Sequence, residues 1–176
     1  MGEIKSTLDL VMEKTRHLSM TPKEKAVQQS AAVKKKLHGL LVKYRDGTIK
    51  KDRFRQDLET LRANDALFDD GMLRKAILSR VGLNPDDSQI WLDLLKTAAG
   101  VDPAPLAAVI LGYQAAIEEE TAKWFQKIRA TLQDTYHVTG SAVVPYLEAD
   151  SGWNRQRAKI QVEYGRRLEK AKSAGY

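Results

Sequence analysis

DPAPLAAVILGYQAAIEEETAKWFQKIRATLQDTY, Asp102 to Tyr136, is the longest run of the chain that reads as one helix. The pair Asp102-Pro103 opens it, Gly112 is the one glycine inside it, and Val138-Thr139-Gly140 lies beyond its end. At about 1.5 Å rise per residue it would run about 50 Å. Its stripe is Leu106, Ile110, Tyr113, Ile117, Thr121, Trp124, Ile128 and Leu132, widened by Val109, Ala116 and Phe125. The mean step of about 3.7 residues keeps that stripe nearly parallel to the axis of a straight helix. Gly112 costs about 1 kcal/mol relative to Ala, which predicts close approach of another backbone there. No other run is as long, so the remaining helices are expected to pack along this one.

Working back toward the N-terminus, Asn84-Pro85-Asp86-Asp87 reads as a helix start, with two carboxylates where the helix dipole favours them. That helix carries Ile90, Trp91, Leu94, Leu95 and Ala98 and stops at Gly100. Another is expected after Asn64-Asp65, through Leu67, Phe68, Met72, Ala76, Ile77 and Val81, ending at Gly82. Before it, a helix from near Thr48 carries Ile49, Phe54, Leu58 and Leu61. Thr21-Pro22-Lys23-Glu24 has the form of a capping box with Pro at the first helical position. The helix it starts follows heptad spacing, Ala26, Ser30, Val33, Leu37, Leu40 and Tyr44, widened by Leu41, and ends at Asp46-Gly47. Residues 3–18 form one more stripe, Ile4, Leu8, Val11, Met12, Thr15 and Leu18.

On the C-terminal side the pattern changes. Val138-Thr139-Gly140-Ser141-Ala142-Val143-Val144-Pro145 is β-branched and broken by glycine, and Pro145 pushes Val144 away from helical geometry. An extended, non-helical segment is expected near 138–147. Ser151 then reads as the N-cap of a last helix, with Trp153, Ile160, Tyr164 and Leu168 on one side.

The chain has 176 residues, 43% hydrophobic and 30% charged, a balance that excludes a disordered or membrane-embedded class. No run reaches about 18 apolar residues, so no membrane span is expected. The opening MGEIKSTLDLVMEK carries charges throughout, so no signal peptide is expected and the cytoplasm is the expected location. With no cysteine, disulfides, thiolate metal sites and a cysteine nucleophile are excluded. The net charge of +6 is uneven: +6 over residues 1–50, −1 over 51–100, −4 over 101–150 and +5 over 151–176. Basic terminal segments can bind a polyanion, or they can dock on the acidic middle.

Candidate chemistry is thin. Setting Gly47 as the glycine of an EF loop puts Val42 and Arg53 where calcium needs oxygen ligands. Asp134 and His137 stand at i, i+3, but the second such pair of a di-iron bundle is missing. Glu118, Glu119 and Glu120 read as a solvated face, and His17 with Glu13 as a surface pair. A helix-turn-helix over Leu78–Pro85 would aim Asp86, Asp87 and Asp93 at phosphate, which repels them. No Gly-rich phosphate loop, His-Glu-x-x-His site or Gly-x-Ser-x-Gly elbow is present, and Ser141 reads as a turn residue. No catalytic residue, metal ligand or cofactor is therefore expected. Nucleic-acid contact, if the chain makes one, falls to Arg155, Arg157, Lys159, Arg166 and Arg167, with Trp153 and Tyr164 interleaved. A ligand pocket in the bundle would form around Tyr113, Glu120 and Trp124.

Two stretches, GEIKSTLDLVMEKTRHLSM (residues 2–20) and GSAVVPYLEADSGW (residues 140–153), resemble a family of small uncharacterised bacterial helical proteins, a domain of unknown function. The resemblance covers about 33 residues and implies a bacterial, cytoplasmic protein. It brings no catalytic residues with it.

The expected architecture is all-α. Six to seven helices pack around one long helix, about 103–136, in a single helical domain over 1–176. Residues 1–18 form a projecting or partner-packing helix, too short to be stable alone. The leading expectation for function is a non-catalytic protein–protein interaction or scaffold protein, homodimeric and cytoplasmic. The second is nucleic-acid binding through the basic ends, and the third a ligand-binding helical bundle.

Overall fold

The computed structural model describes residues 21–140 and 144–174. The fold is all-α, and six α-helices carry the described residues with no strand among them. They are α1 (Pro22–Arg45), α2 (Lys51–Asn64), α3 (Asp70–Leu78), α4 (Pro85–Ala98), α5 (Ala104–Tyr136) and α6 (Ser151–Ala174). A short 3-10 turn, Leu147–Ala149, precedes α6. The stripe over 3–18, with Glu13 and His17, lies outside the described residues, as does Ser141. The chain divides into two compact units between Met72 and Leu73, in the first turn of α3.

In the first unit α1 and α2 pack on each other. The capping box forms as the sequence predicts. The Glu24 amide donates to the Thr21 hydroxyl at 3.3 Å, and the Thr21 amide donates to the Glu24 carboxylate at 2.7 Å. These bonds to Thr21, the amide first and the hydroxyl second, hold the Glu24 pKa below its ordinary value. A depressed carboxylate stabilises the helix above its unfolded pKa and stops doing so as pH falls through the folded one. Acidification below about pH 4 is therefore expected to fray the first turn of α1. Amide exchange at Glu24 and Lys25 should rise there in the wild type, and Glu24→Gln should abolish the pH dependence.

Helix α1 buries Val33, Leu37 and Leu41 against the Phe54, Leu58 and Leu61 face of α2. The heptad reading overreaches at its N-terminal end. Leu41, which widens the predicted stripe, is buried and Leu40 half-buried, whereas Ala26 is exposed. The cause is length: α2 has 14 residues to the 24 of α1, so it covers only part of it. Between them Gly47 sits at φ 69°, a left-handed position that ends α1 at no steric cost. Helix α2 begins at Lys51, three residues later than Thr48.

The second unit opens with the buried face of α3, Leu73, Ile77 and Leu78. This helix starts at Asp70, later than the Asn64-Asp65 signal suggests, because the Asp69 carboxylate takes the Met72 amide at 2.7 Å. Leu67 consequently lies outside the helix and is exposed. Helix α4 starts where expected, with the Asn84 side chain accepting from the Asp86 amide at 3.2 Å. It buries Trp91, Leu92, Leu94 and Leu95. Its fully buried Ser88 donates to the Gly82 carbonyl at 2.8 Å and accepts from the Gly82 amide at 3.0 Å, which pins the turn before α4. The Arg80 guanidinium lies 5.5 Å from the Trp91 ring centroid over the same turn.

Helix α5 has 33 residues, about the predicted extent. Within this unit α4 packs on it, and α6 runs back antiparallel along it as the second arm of a hairpin. Only Leu106 and Ile110 of its stripe are buried; Tyr113, Ile117, Thr121, Trp124, Phe125, Ile128 and Leu132 stay half-exposed. The helix closes on His137, whose φ of 53° and ψ of 27° are left-handed. A non-glycine residue there costs about 1–2 kcal/mol. His137→Gly is expected to raise the unfolding free energy by about 1 kcal/mol, measurable by chemical denaturation. Residues 138–140 and 144–146 are non-helical as expected. The last helix is capped one residue earlier than the sequence suggests. Asp150, not Ser151, takes the Trp153 amide, at 2.8 Å.

Candidate functional site

The α5–α6 hairpin carries every residue that the sequence nominates for binding. Its inner seam is aromatic. Tyr113 and Tyr164 meet edge to face at 5.8 Å between centroids. Gly112 lies beneath the Tyr164 ring, so the close approach expected at this glycine is to a side chain and not to a backbone. Further along α5, the Trp124 ring covers Gly152 of α6. Trp153 and Leu168 are buried in the same seam.

That seam occupies the three residues nominated for a pocket. Tyr113 is held by Tyr164, and Trp124 lies between Gly152 and the Lys127 ammonium, 4.4 Å from its ring centroid. Glu120 faces Lys123 at 3.7 Å, while the stronger partner of Lys123 is Glu119 at 2.7 Å. The Lys123 ammonium draws the Glu119 carboxyl below its ordinary pKa, and Glu119 raises that of Lys123 in return. Each of the three is thus committed to a neighbour in the chain. Among the described residues no three His, Asp or Glu side chains gather as a metal-holding group. No described helix is long and apolar enough to cross a membrane.

The basic residues of α6 divide. Arg155, Lys159 and Arg166 follow i, i+4, i+11 spacing and lie on the outer side of the helix, away from α5. With Ala158, Val162 and Arg167 they line an open groove of about 630 Å³. Arg157, two residues from Arg155, is turned about 200° around the helix and does not join them. Arg167 sits at the groove's edge, where its guanidinium stacks 4.7 Å from the Tyr164 ring centroid and pairs with Glu163. The nominated aromatics, Trp153 and Tyr164, belong to the seam and so offer no open stacking platform beside the cations.

Sequence reading does not single out Val162, which is 54% exposed in the middle of this groove. The signal is present in the spacing: Val162 stands three residues after Lys159 and four before Arg166, on their ridge and off the Trp153–Leu168 stripe. In the first unit a second basic groove, about 350 Å³, is lined by Lys35, Lys36, Lys43 and Leu40 among others. There Lys36 is drawn to Asp65 at 3.0 Å. Comparisons of this chain with protein-family models, with curated proteins and with solved structures find no match.

Proposed function

We propose that this chain is a non-catalytic, cytoplasmic protein–protein interaction or scaffold protein that works as a homodimer through the α5–α6 hairpin. The observation that carries the reading is the incomplete cover of α5. Its apolar stripe continues from Leu106 to Leu132, yet burial stops at Ile110. Thr121, Phe125, Ile128 and Leu132 form a half-exposed flank at helical spacing. A contiguous apolar flank of this kind is what a second helical surface buries, and homodimer interfaces are the more apolar class.

Light scattering from about 5 to 500 µM, a span set to cover micromolar dissociation constants, tests it. The mass should rise from 19.8 kDa toward twice that value. Phe125→Glu combined with Ile128→Glu should weaken association at least ten-fold, about 1.4 kcal/mol. A wild-type chain that stays at 19.8 kDa throughout would remove the dimer. The second reading, nucleic-acid binding at the basic ends, draws support from the α6 ridge. It lacks exposed aromatics on that ridge to hold bases.

A further inference from the structure

We infer that the outer face of α6 is a docking surface for an acidic amphipathic helix of a partner protein. The surface is the groove of Arg155, Ala158, Lys159, Val162 and Arg166. It lies opposite the seam that holds Trp153, Tyr164 and Leu168, so α5 does not cover it. Lys159 and Arg166 enter no ion pair among the described residues, and Glu163, the one acid in the lining, is taken by Arg167. Arg155 enters none either, although its Nε donates to the Ser151 carbonyl at 3.2 Å, so three cations face external carboxylates over about 16 Å of helix, from Arg155 to Arg166.

Charge complementarity alone would suit any polyanion. The middle of the groove narrows the choice. Ala158, the exposed Val162 and the methylene stems of the cationic side chains make its floor apolar. A phosphate backbone gains nothing from an apolar floor, and bases find no open ring here to stack on. A helix with Leu or Ile along one edge and Glu on the flanks matches both parts. Its apolar edge buries Val162, and its carboxylates meet Arg155, Lys159 and Arg166 at the same turn-by-turn spacing. The inference rests on reading the chain as an interaction protein, though not on its dimer, because this face is separate from the Phe125–Leu132 flank.

Anisotropy titrations of the full chain against three labelled probes test it. The probes are a 21-residue peptide with Leu at i, i+3, i+4, i+7 spacing and Glu elsewhere, a scrambled peptide of the same composition, and a 20-nucleotide DNA strand. The patterned peptide should bind at least ten-fold tighter than either of the others. Arg155→Glu with Arg166→Glu should weaken that binding at least ten-fold, and so should Val162→Asp alone. All three positions are exposed, so circular dichroism should be unchanged. Equal binding of the scrambled peptide, tighter binding of DNA, retention in the charge-reversed variant, or no binding of any probe would each overturn the proposal. Binding by a chain that light scattering shows to be monomeric would keep this proposal while removing the dimer, so the two failures are distinguishable.

Discussion

Phe54→Ala is expected to cost about 3–5 kcal/mol of unfolding free energy. Phe54 is fully buried, on the face of α2 that meets α1, with its ring centroid 4.9 Å from that of Tyr44 at an interplanar angle of 48°. Among the described residues of the first unit its buried companions are Val33, Leu37, Leu41, Leu58 and Leu61. Phe54 has no solvent-exposed surface and its neighbours are close-packed, so a cavity term adds to the lost transfer energy. The loss is a large share of the roughly 5–15 kcal/mol typical of a whole domain. Urea denaturation followed by circular dichroism reads the total. Native-state amide exchange in α1 and α2 locates it, and protection there should fall by at least a hundred-fold, the equivalent of about 2.7 kcal/mol. Phe54→Leu keeps most of the volume and should cost under half as much. A Phe54→Ala cost below about 1 kcal/mol would show that the α1–α2 core is not what holds this unit together.

Helix starts were legible where a side chain and a proline agree. Thr21-Pro22 with Glu24, and Asn84-Pro85, both name their caps, and both caps form. Starts were misread where two acceptors compete within a few residues. A helix was expected directly after Asn64-Asp65, yet the Asp65 carbonyl takes the Phe68 amide in a turn, and Asp69 captures Met72 to begin α3. Asp150 and Ser151 compete in the same way before α6, and the carboxylate wins. A charge-assisted bond from a backbone amide is the stronger of the two.

Periodicity was informative about direction and silent about cover. It placed Leu106 to Leu132 on one face of α5, and they do share a face. It could not say that burial would stop at Ile110, because that depends on which neighbours reach the distal half. The basic residues of α6 show the same limit. Their number was plain from composition, but only helical angle separates Arg155, Lys159 and Arg166 from Arg157. Val162 reads as an ordinary helix residue until its ridge is drawn, and then it becomes the centre of the groove. The aromatics are the converse case. Trp153 and Tyr164 alternate with cations along the chain, yet they point to the opposite side, into the seam.

That seam yields the second large effect. Gly152→Val is expected to destabilise the hairpin by about 1–3 kcal/mol. A Cβ at position 152 would stand 2.5 Å from Trp124 Cη2 and 3.2 Å from Cζ3, closer than carbon atoms pack. It would also come within 3.0 Å of the Asp150 carboxylate, which caps the Trp153 amide. The indole is broad and pinned under Lys127, so relief requires either the ring or the start of α6 to move. Gly152→Ala gains up to about 1 kcal/mol in helix propensity but meets the same two contacts, so it should still destabilise, by less than Val. Gly112→Ala sets the contrast. There the added carbon meets Tyr164 Cε1 at 3.2 Å, a distance a small ring shift can relieve, and propensity should bring the variant close to neutral. A Trp124→Leu background separates contact from local backbone effects. Removing the indole should turn Gly152→Ala neutral or stabilising, giving a coupling of about 1–2 kcal/mol in a double-mutant cycle. If Gly152→Ala costs the same in the Trp124→Leu background as in the wild type, the indole is not what position 152 must accommodate. The strain would then lie at the Asp150 cap, and Asp150→Asn, which keeps the cap oxygen without its charge, would carry the coupling instead.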